Sequence, residues 1–196
     1  MTNNIELELR AELSLEHLDE LIGKFDKVER TKRLSVMFLG KTGEAKYDIR
    51  IRIDSKNHAE FVVKKGDFHS HDRLEVSQKI TKDQFIGMVK IFSLFGFQSK
   101  VTERENSIVE IENGIILSFV KAGSISYVEI EKMSNEENLE ENKLKLLEIV
   151  EKYGLNLIKD ETDFNELCGR LTKLSDWSFE NSEEQLRKLT SLLESY

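Results

Sequence analysis

The sequence contains no proline, a single cysteine and no long apolar segment. Cys168 has no second thiol in the chain, so an internal disulfide is excluded. No stretch approaches the roughly 20 apolar residues that a membrane-spanning helix needs. The first ten residues, MTNNIELELR, lack the basic start and the apolar stretch of a secretory signal peptide. These absences predict a soluble cytoplasmic protein with no membrane partner.

The sequence also lacks an excess of positive charge. Its formal net charge is −8, whereas non-specific nucleic-acid binding needs a basic surface. We therefore expect no nucleic-acid partner, and any polyanion must be bound by cations that are concentrated locally. With 39% hydrophobic residues over 196 positions, the chain can still form a real core.

Alternation of apolar and polar residues predicts about eight antiparallel strands. Residues 5–13 alternate strictly between apolar and charged side chains, and this period of two is typical of a strand. Asn113-Gly114 is a strong hairpin signal between two further runs. The predicted strands are 5–13, about 27–39, 44–54, 59–65, 72–80, 98–112, 115–121 and 124–132.

Helical periodicity predicts helices between and after these strands, with one or two more in the tail 155–196. An antiparallel sheet with inserted and appended helices gives an α+β fold class. Side chains that can accept from free backbone N–H groups mark the helix starts. The predicted caps are Ser14, the pairs Thr81/Gln84 and Ser134/Glu137, Asp163 and Ser182.

Charged residues share one face of several predicted strands. The groups are Glu6, Glu8, Arg10 and Glu12; Lys46, Asp48, Arg50, Arg52 and Asp54; Glu60 and Lys64; Arg73 and Glu75; Lys100 and Arg104; Glu129 and Glu131. An ordinary sheet with one face in water is the simplest interpretation. However, residues two apart on a strand lie about 7 Å from each other, and like charges this close are costly unless neutralised.

Two kinds of ligand would neutralise these pairs. A polyphosphate would neutralise Arg50 and Arg52, and a divalent metal would neutralise the paired glutamates, since Mg²⁺ and Mn²⁺ favour oxygen ligands. A barrel interior with both signs on facing walls would therefore hold a metal–triphosphate complex. The apolar faces of the strands would then point outward, under the helices.

Five charged segments follow one another along the chain. The first is Glu6-Leu7-Glu8-Leu9-Arg10, and the later four are Ile49-Arg50-Ile51-Arg52, Phe61-Val62-Val63-Lys64, Arg73-Leu74-Glu75 and Tyr127-Val128-Glu129-Ile130-Glu131. The first resembles the opening ExExK signature of the CYTH superfamily, which includes class IV adenylate cyclases, thiamine triphosphatases and inorganic triphosphatases. The later four resemble motifs of this family in the same order, and the resemblance covers roughly residues 1–160.

The resemblance implies a closed eight-stranded antiparallel tunnel in residues 1–160. Residues 161–196, here called the C-terminal extension, are then a helical addition packed on this domain or on a partner, including a second copy in a homodimer. The implied metal-binding residues, for Mg²⁺ or Mn²⁺, are Glu6, Glu8, Glu129 and Glu131. The implied triphosphate-binding residues are Arg10, Arg50, Arg52, Lys64, Arg73 and Arg104. The implied catalytic residues are Glu8, Arg10 and Arg52.

Four positions depart from the family pattern, among them Ser77, which stands where an acid is common. Position 10 is arginine where the signature has lysine, and arginine cannot act as a general base. Thr102 stands where the lysine of a K-x-R pair is expected, and Ser118 stands where an acid is usual. A pseudo-enzyme is therefore one of the hypotheses.

Three functions remain open from the sequence. The first is a metal-dependent phosphohydrolase that acts on inorganic triphosphate, a nucleoside triphosphate or thiamine triphosphate. The second is a class IV-type adenylate cyclase. The third is a catalytically weak module that binds polyphosphate or nucleotide.

Two other features receive structural interpretations. The 67–72 segment contains His69 and His71 and is interpreted as a solvated hairpin loop, because no further metal-ligand set accompanies it. Cys168 is interpreted as a small core residue of a tail helix.

Overall fold

The computed structural model describes residues 5–67, 70 and 72–196, without the side chain of Asp72. The strands in these residues are β1 (Ile5–Leu13), β2 (Glu29–Thr42), β3 (Ala45–Asp54), β4 (Ala59–Lys65), β5 (Asp72–Ile80), β6 (Gln98–Ile111), β7 (Ile115–Ala122), β8 (Ile125–Ser134) and β9 (Trp177–Ser178). Adjacent strands pair in the order β2-β3-β4-β5-β1-β8-β7-β6, and pairing of β2 with β6 closes the barrel. The α+β class and the closed eight-stranded antiparallel barrel are confirmed.

Five α-helices flank the barrel. They are α1 (Leu15–Ile22), α2 (Phe85–Ser93), α3 (Leu139–Tyr153), α4 (Glu161–Leu174) and α5 (Glu183–Leu193) in the described residues. Three predicted caps are found: Ser14 accepts from the His17 amide, Ser182 accepts from the Gln185 amide, and Thr81 N donates to Gln84 Oε1. None of the helices in the described part of the chain is long and apolar enough to cross a membrane.

Two predicted caps are wrong. Asn135, not Ser134, begins the turn before α3, because Ser134 still belongs to β8 and its hydroxyl accepts from Asn142 Nδ2 at 2.9 Å. Asp160, not Asp163, caps α4, and its carboxylate accepts from the amides of Thr162 and Asp163. Asp163 lies in the first turn instead, where a negative charge is favourable.

The apolar core lies outside the barrel wall, as the strand pattern predicted. Alternate residues of each strand point outward and pack under the helices. Helices α1 and α3 cover β1, β7 and β8, with Leu7, Leu117, Ile130 and Leu146 among the buried residues. On the other side, α2 and α5 cover β2 and β3 around a second cluster. The barrel interior is left to the polar faces of the strands.

Helix α4 of the C-terminal extension lies across one end of the barrel, where β1 and β7 finish. We call this the covered end. Leu167 and Leu171 of α4 pack against Val120 and Tyr127, which point into the barrel at this end. The two-residue strand β9, too short to be predicted from alternation, pairs with the start of β6. His69 and His71 lie outside the described residues, so their interpretation stays a prediction.

Candidate active site

Three carboxylates meet inside the barrel. Glu6 and Glu8 project from β1, and Glu131 on β8 is paired in register with Glu8. One oxygen from each of these groups lies within 4.8 Å of the others. We call Glu6, Glu8 and Glu131 the acid group. They are three of the four residues implied as metal ligands.

The pKa values of the acid group show that it is costly to bury several carboxylates close together. Burial, followed by the charges of neighbouring carboxylates, raises the pKa of Glu6 to about 7 and that of Glu131 to about 8. Burial also acts to raise the pKa of Glu8, but Arg10, Lys64 and Arg73 together hold it well below its usual value. The group therefore needs cations, and its oxygens are the donors that Mg²⁺ and Mn²⁺ favour.

Lys64 supplies one of those cations. It is 3% exposed, and its ammonium forms an ion pair with Glu6 and lies 3.0 Å from Glu75 Oε2 and 3.7 Å from Glu8 Oε2. Glu75 was assigned to a motif but not to the site, and the structure places it beside Lys64. A single lysine thus joins β4 to β1 and β5.

Glu129, the fourth implied metal ligand, lies two residues before Glu131 on β8, nearer to the covered end. Its Oε1 accepts a hydrogen bond from Arg10 Nε at 3.2 Å, and it is also hydrogen-bonded to Glu8. Arg10 forms a further ion pair with Glu8, and its guanidinium lies 5.2 Å from the centre of the Phe164 ring. Burial acts to lower the pKa of Arg10, but Glu8 and Glu129 outweigh burial and raise it. Arg10 is therefore a permanent charge.

A group of arginines lines the wall next to the acid group. Asp48 is buried and joins two of them: Arg50 Nη2 lies 2.6 Å and Arg73 Nη1 lies 3.6 Å from its Oδ2. Arg73 also donates to Glu8 Oε2 at 3.2 Å. Asp48 was placed on the charged face by the sequence but not assigned to the site. Burial acts to raise the pKa of Asp48, but Arg50, together with Arg73 and Lys64, outweighs burial and lowers it.

Arg52 lies nearer the end of the barrel that is opposite α4. Its Nε donates to Glu60 Oε1 at 2.7 Å, and its side chain is 17% exposed. Arg33 of β2 lies beside it and was missed in the sequence analysis. Burial and then the charge of Arg52 lower the pKa of Arg33, so the two guanidinium groups are close. Strict alternation of Leu34, Val36 and Phe38 would have placed Arg33 on the inner face.

Thr102 and Ser118, two of the positions that depart from the family pattern, also face the interior. Ser118 is buried opposite Glu129, and Thr102 is buried opposite Ser35. Arg104, implied as a phosphate ligand, pairs with Asp176 of the C-terminal extension at 2.7 Å. Arg104 also hydrogen-bonds to Tyr127, whose pKa is raised to about 12 by burial and by Glu129. Tyr127 is therefore a neutral phenol at physiological pH.

A cavity of about 490 Å³ runs between this wall and α4. It brings Arg10, Arg33, Arg50 and Arg73 into one space, with Cys168 on its helix side. Burial raises the pKa of the Cys168 thiol, which argues against a role as a nucleophile. A second cavity, of about 610 Å³, lies outside the barrel beside α3, and half of its lining residues are leucine or isoleucine. We take the tunnel as the candidate active site because the charged residues are concentrated there.

Comparison with known proteins supports the fold. No protein-family model matches the chain, and no curated protein matches it. Among solved structures, a conserved hypothetical protein from Pyrococcus furiosus is 22% identical, with a TM-score of 0.64 over 81% of this chain and 93% of that one. A Pyrococcus horikoshii protein is 18% identical, with a TM-score of 0.62 over 82% of this chain and 98% of that one.

A third solved structure carries a functional description. It is a "putative adenylate cyclase" from Vibrio parahaemolyticus, 14% identical, with a TM-score of 0.62 over 84% of this chain and 98% of that one. At these identities the likeness shows a shared fold. That fold agrees with the resemblance to the CYTH superfamily.

Proposed function

We propose that the chain is a metal-dependent phosphohydrolase that acts on a triphosphate compound bound inside the barrel. One observation carries the proposal: the acid group lies in direct contact with Lys64 and Arg73, within one closed tunnel. An acid group alone could be structural, and a basic wall alone could bind any anion. Their contact suits a ligand that carries a divalent metal on one side and phosphate oxygens on the other.

The charge balance of the tunnel supports dependence on a metal. Among the described residues the tunnel holds as many acids as bases, and the raised pKa values of Glu6 and Glu131 show that these bases do not fully neutralise the acid group. The acids are Glu6, Glu8, Asp48, Glu60, Glu75, Glu129, Glu131 and Asp176, and the bases are Arg10, Arg33, Arg50, Arg52, Lys64, Arg73, Lys100 and Arg104. A divalent cation at the acid group would shift this balance toward binding an anion. We therefore assign Glu6, Glu8 and Glu131 to the metal, with Glu129 beside them.

The basic residues have distinct proposed roles. A divalent metal, when bound, neutralises phosphoryl oxygens and activates water. Arg50, Arg52 and Arg73 hold the non-bridging oxygens, since a planar guanidinium can donate to two oxygens at once. Lys64 lies between the acid group and Arg50, so its ammonium can donate to an oxygen of the phosphate that Arg50 holds.

The proposed reaction is transfer of the terminal phosphoryl group to water. A bond forms between the water oxygen and the terminal phosphorus, the bridging P–O bond breaks, and the proton of the water passes to a phosphate oxygen. Negative charge grows on the leaving phosphate, where the fixed arginines stabilise it without reorganising. Glu8 is ionised and orients the side chains of Arg73 and Lys64 beside it. Arg10 holds Glu8 in place through an ion pair.

A second candidate is a binding module with weak turnover, and Arg10 favours it. A lysine at this position can relay a proton when its pKa is depressed, but an arginine with a raised pKa cannot. The cyclase hypothesis comes from the family resemblance and from the description of the Vibrio structure. In that case the ribose 3′-hydroxyl replaces water as the nucleophile.

One panel of assays separates these functions. Phosphate release is measured from inorganic triphosphate, nucleoside triphosphates and thiamine triphosphate, with Mg²⁺ or Mn²⁺ or with chelator, alongside cyclic-nucleotide formation. We expect metal-dependent phosphate release that is lost in Arg50→Gln and retained in the exposed control Arg187→Gln. Cyclic nucleotide as the main product would replace the hydrolase proposal with the cyclase, and binding without any product would favour the module.

A further inference from the structure

The C-terminal extension places a carboxylate against two cations of the tunnel. The side chain of Asp176 is 0% exposed. Its Oδ2 lies 2.8 Å from Lys100 Nζ and its Oδ1 lies 2.7 Å from Arg104 Nη2. Lys100 also donates to Thr172 Oγ1, and Arg104 donates to Ser175 Oγ. Residues 172–176 therefore take up donors of both cations, and Asp176 neutralises part of their charge.

Lys100 is in line with the proposed phosphate-binding residues. Met37 of β2 is paired in register with Arg50 on one side and with Lys100 on the other. Adjacent strands are about 4.8 Å apart, so the backbones of Arg50 and Lys100 are separated by about 10 Å. Both side chains, together with Arg104, line the cavity of about 490 Å³. An anion that extended from Arg50 toward the covered end would meet Lys100 next.

Asp176 is held rigidly in this position. Just after it, β9 pairs with β6, and Val101 and Lys100 are the β6 partners of Trp177 and Ser178. Phe179 N donates to Ser99 O at 3.0 Å, and Ser99 Oγ donates to Phe179 O at 2.6 Å. Phe179 is itself buried in the cluster under α2 and α5. These contacts are those of a fixed wall, not of a lid that opens and closes.

We propose that Asp176 determines how long a phosphate chain the tunnel accepts. By occupying Lys100 and Arg104, it removes from the covered end the two cations that a further phosphate group would need. Asp176 is thus a specificity-determining residue that acts through Lys100 and Arg104. The inference rests on the proposed function and deepens it, because it assigns the site to short chains such as triphosphate.

The test compares anions of increasing length on the intact protein. Calorimetric titrations with pyrophosphate, tripolyphosphate and tetrapolyphosphate, in the presence of Mg²⁺, are run on the native protein and on Asp176→Asn. In the native protein we expect the fourth phosphate to add no affinity. In Asp176→Asn two charged donors become free, so tetrapolyphosphate binds about tenfold or more tighter than tripolyphosphate. An unchanged ratio between these two anions in Asp176→Asn would overturn the proposal.

A control and a second variant keep the test decisive. Glu12→Gln removes the exposed ion pair that joins the extension to β1 through Arg170, and it should leave the ratio unchanged. Asp176→Asn leaves two cations without their partner and could fail to fold, so Lys100→Gln is measured independently. It keeps the pair of Asp176 with Arg104, and we expect its tripolyphosphate affinity to stay within about twofold of native. A loss as large as that of Arg50→Gln would mean that Lys100 binds substrate, which overturns the proposal.

The outcome also separates this inference from the proposed function. If the native protein binds none of the three anions, the proposed function fails and the length question does not arise. If the native protein binds tripolyphosphate but the ratio is the same in Asp176→Asn, only the role of Asp176 is rejected.

Discussion

At the scale of single residues, Arg10 connects the acid group to the covered end of the tunnel. It contacts Glu8 and Glu129 on one side and the Phe164 ring on the other. Its charge is permanent, because two carboxylates raise a pKa that is already high. The residue can hold an anion or a carboxylate, but it cannot exchange a proton near neutral pH. Arg10 can therefore contribute to triphosphate affinity without contributing to turnover, and one substitution can test this.

Arg10→Lys is predicted to raise the rate of phosphate release while changing triphosphate affinity little. A buried lysine keeps the positive charge but can have its pKa lowered enough to relay a proton, a contribution typically of 10²-fold or more. Steady-state rates and calorimetric affinities are compared with those of Arg170→Lys, which makes the same exchange in an exposed ion pair at the barrel rim. Fast native turnover that falls in Arg10→Lys would show instead that residue 10 acts only as an electrostatic clamp.

At the scale of elements, the start of helix α4 is stabilised by the N-cap residue Asp160, whereas Asp163 in the first turn does not cap the helix. Asp160 accepts from two backbone amides, whereas Asp163 is near the amide of Lys159 at 3.5 Å. Asp160→Ala should therefore destabilise the protein by about 0.5–2 kcal/mol, and Asp163→Ala by less. Urea unfolding of both variants measures the difference. Equal losses, or a larger loss in Asp163→Ala, would contradict the assigned start of α4.

The elements differ in how far the sequence could predict them. Strands were predictable because alternation is a local signal, and both their inner and outer faces follow from it. The caps of α3 and α4 were misplaced by one to three positions because several suitable side chains are neighbours there, and only the backbone decides which one faces the amides. Arg33 was predictable from the alternation of β2 but was overlooked between Lys32 and Leu34.

The covered end was not predictable from the sequence in the same way. The pairing of Asp176 with Lys100 and Arg104 joins positions more than 70 residues apart, through a two-residue strand. Nothing in the local pattern of α4 says that its apolar face packs on Val120 and Tyr127 at a barrel end. Such contacts depend on tertiary packing, which overrides local preferences.

At the scale of the whole molecule, the fold places its apolar residues between the barrel wall and the surrounding helices, and its charged residues inside the barrel. Helices cover the outward faces of the strands in two clusters, and the interior is filled by contacts between acids and bases. Buried ion pairs of this kind contribute little to stability, because desolvation offsets their attraction. The arrangement is therefore better explained by a charged ligand than by the needs of folding.

Thermal unfolding with Mn²⁺ and tripolyphosphate, added separately and together, tests the central claim most directly. A ligand at 100 times its dissociation constant stabilises the folded state by about 2.7 kcal/mol. For a chain of this size, that corresponds to a shift of about 5–11 °C in the midpoint. We predict that the two ligands together raise the midpoint by more than the sum of their separate effects, since each neutralises the charges that oppose the other. No shift at any combination of concentrations would contradict the assignment of the tunnel as a metal–triphosphate site.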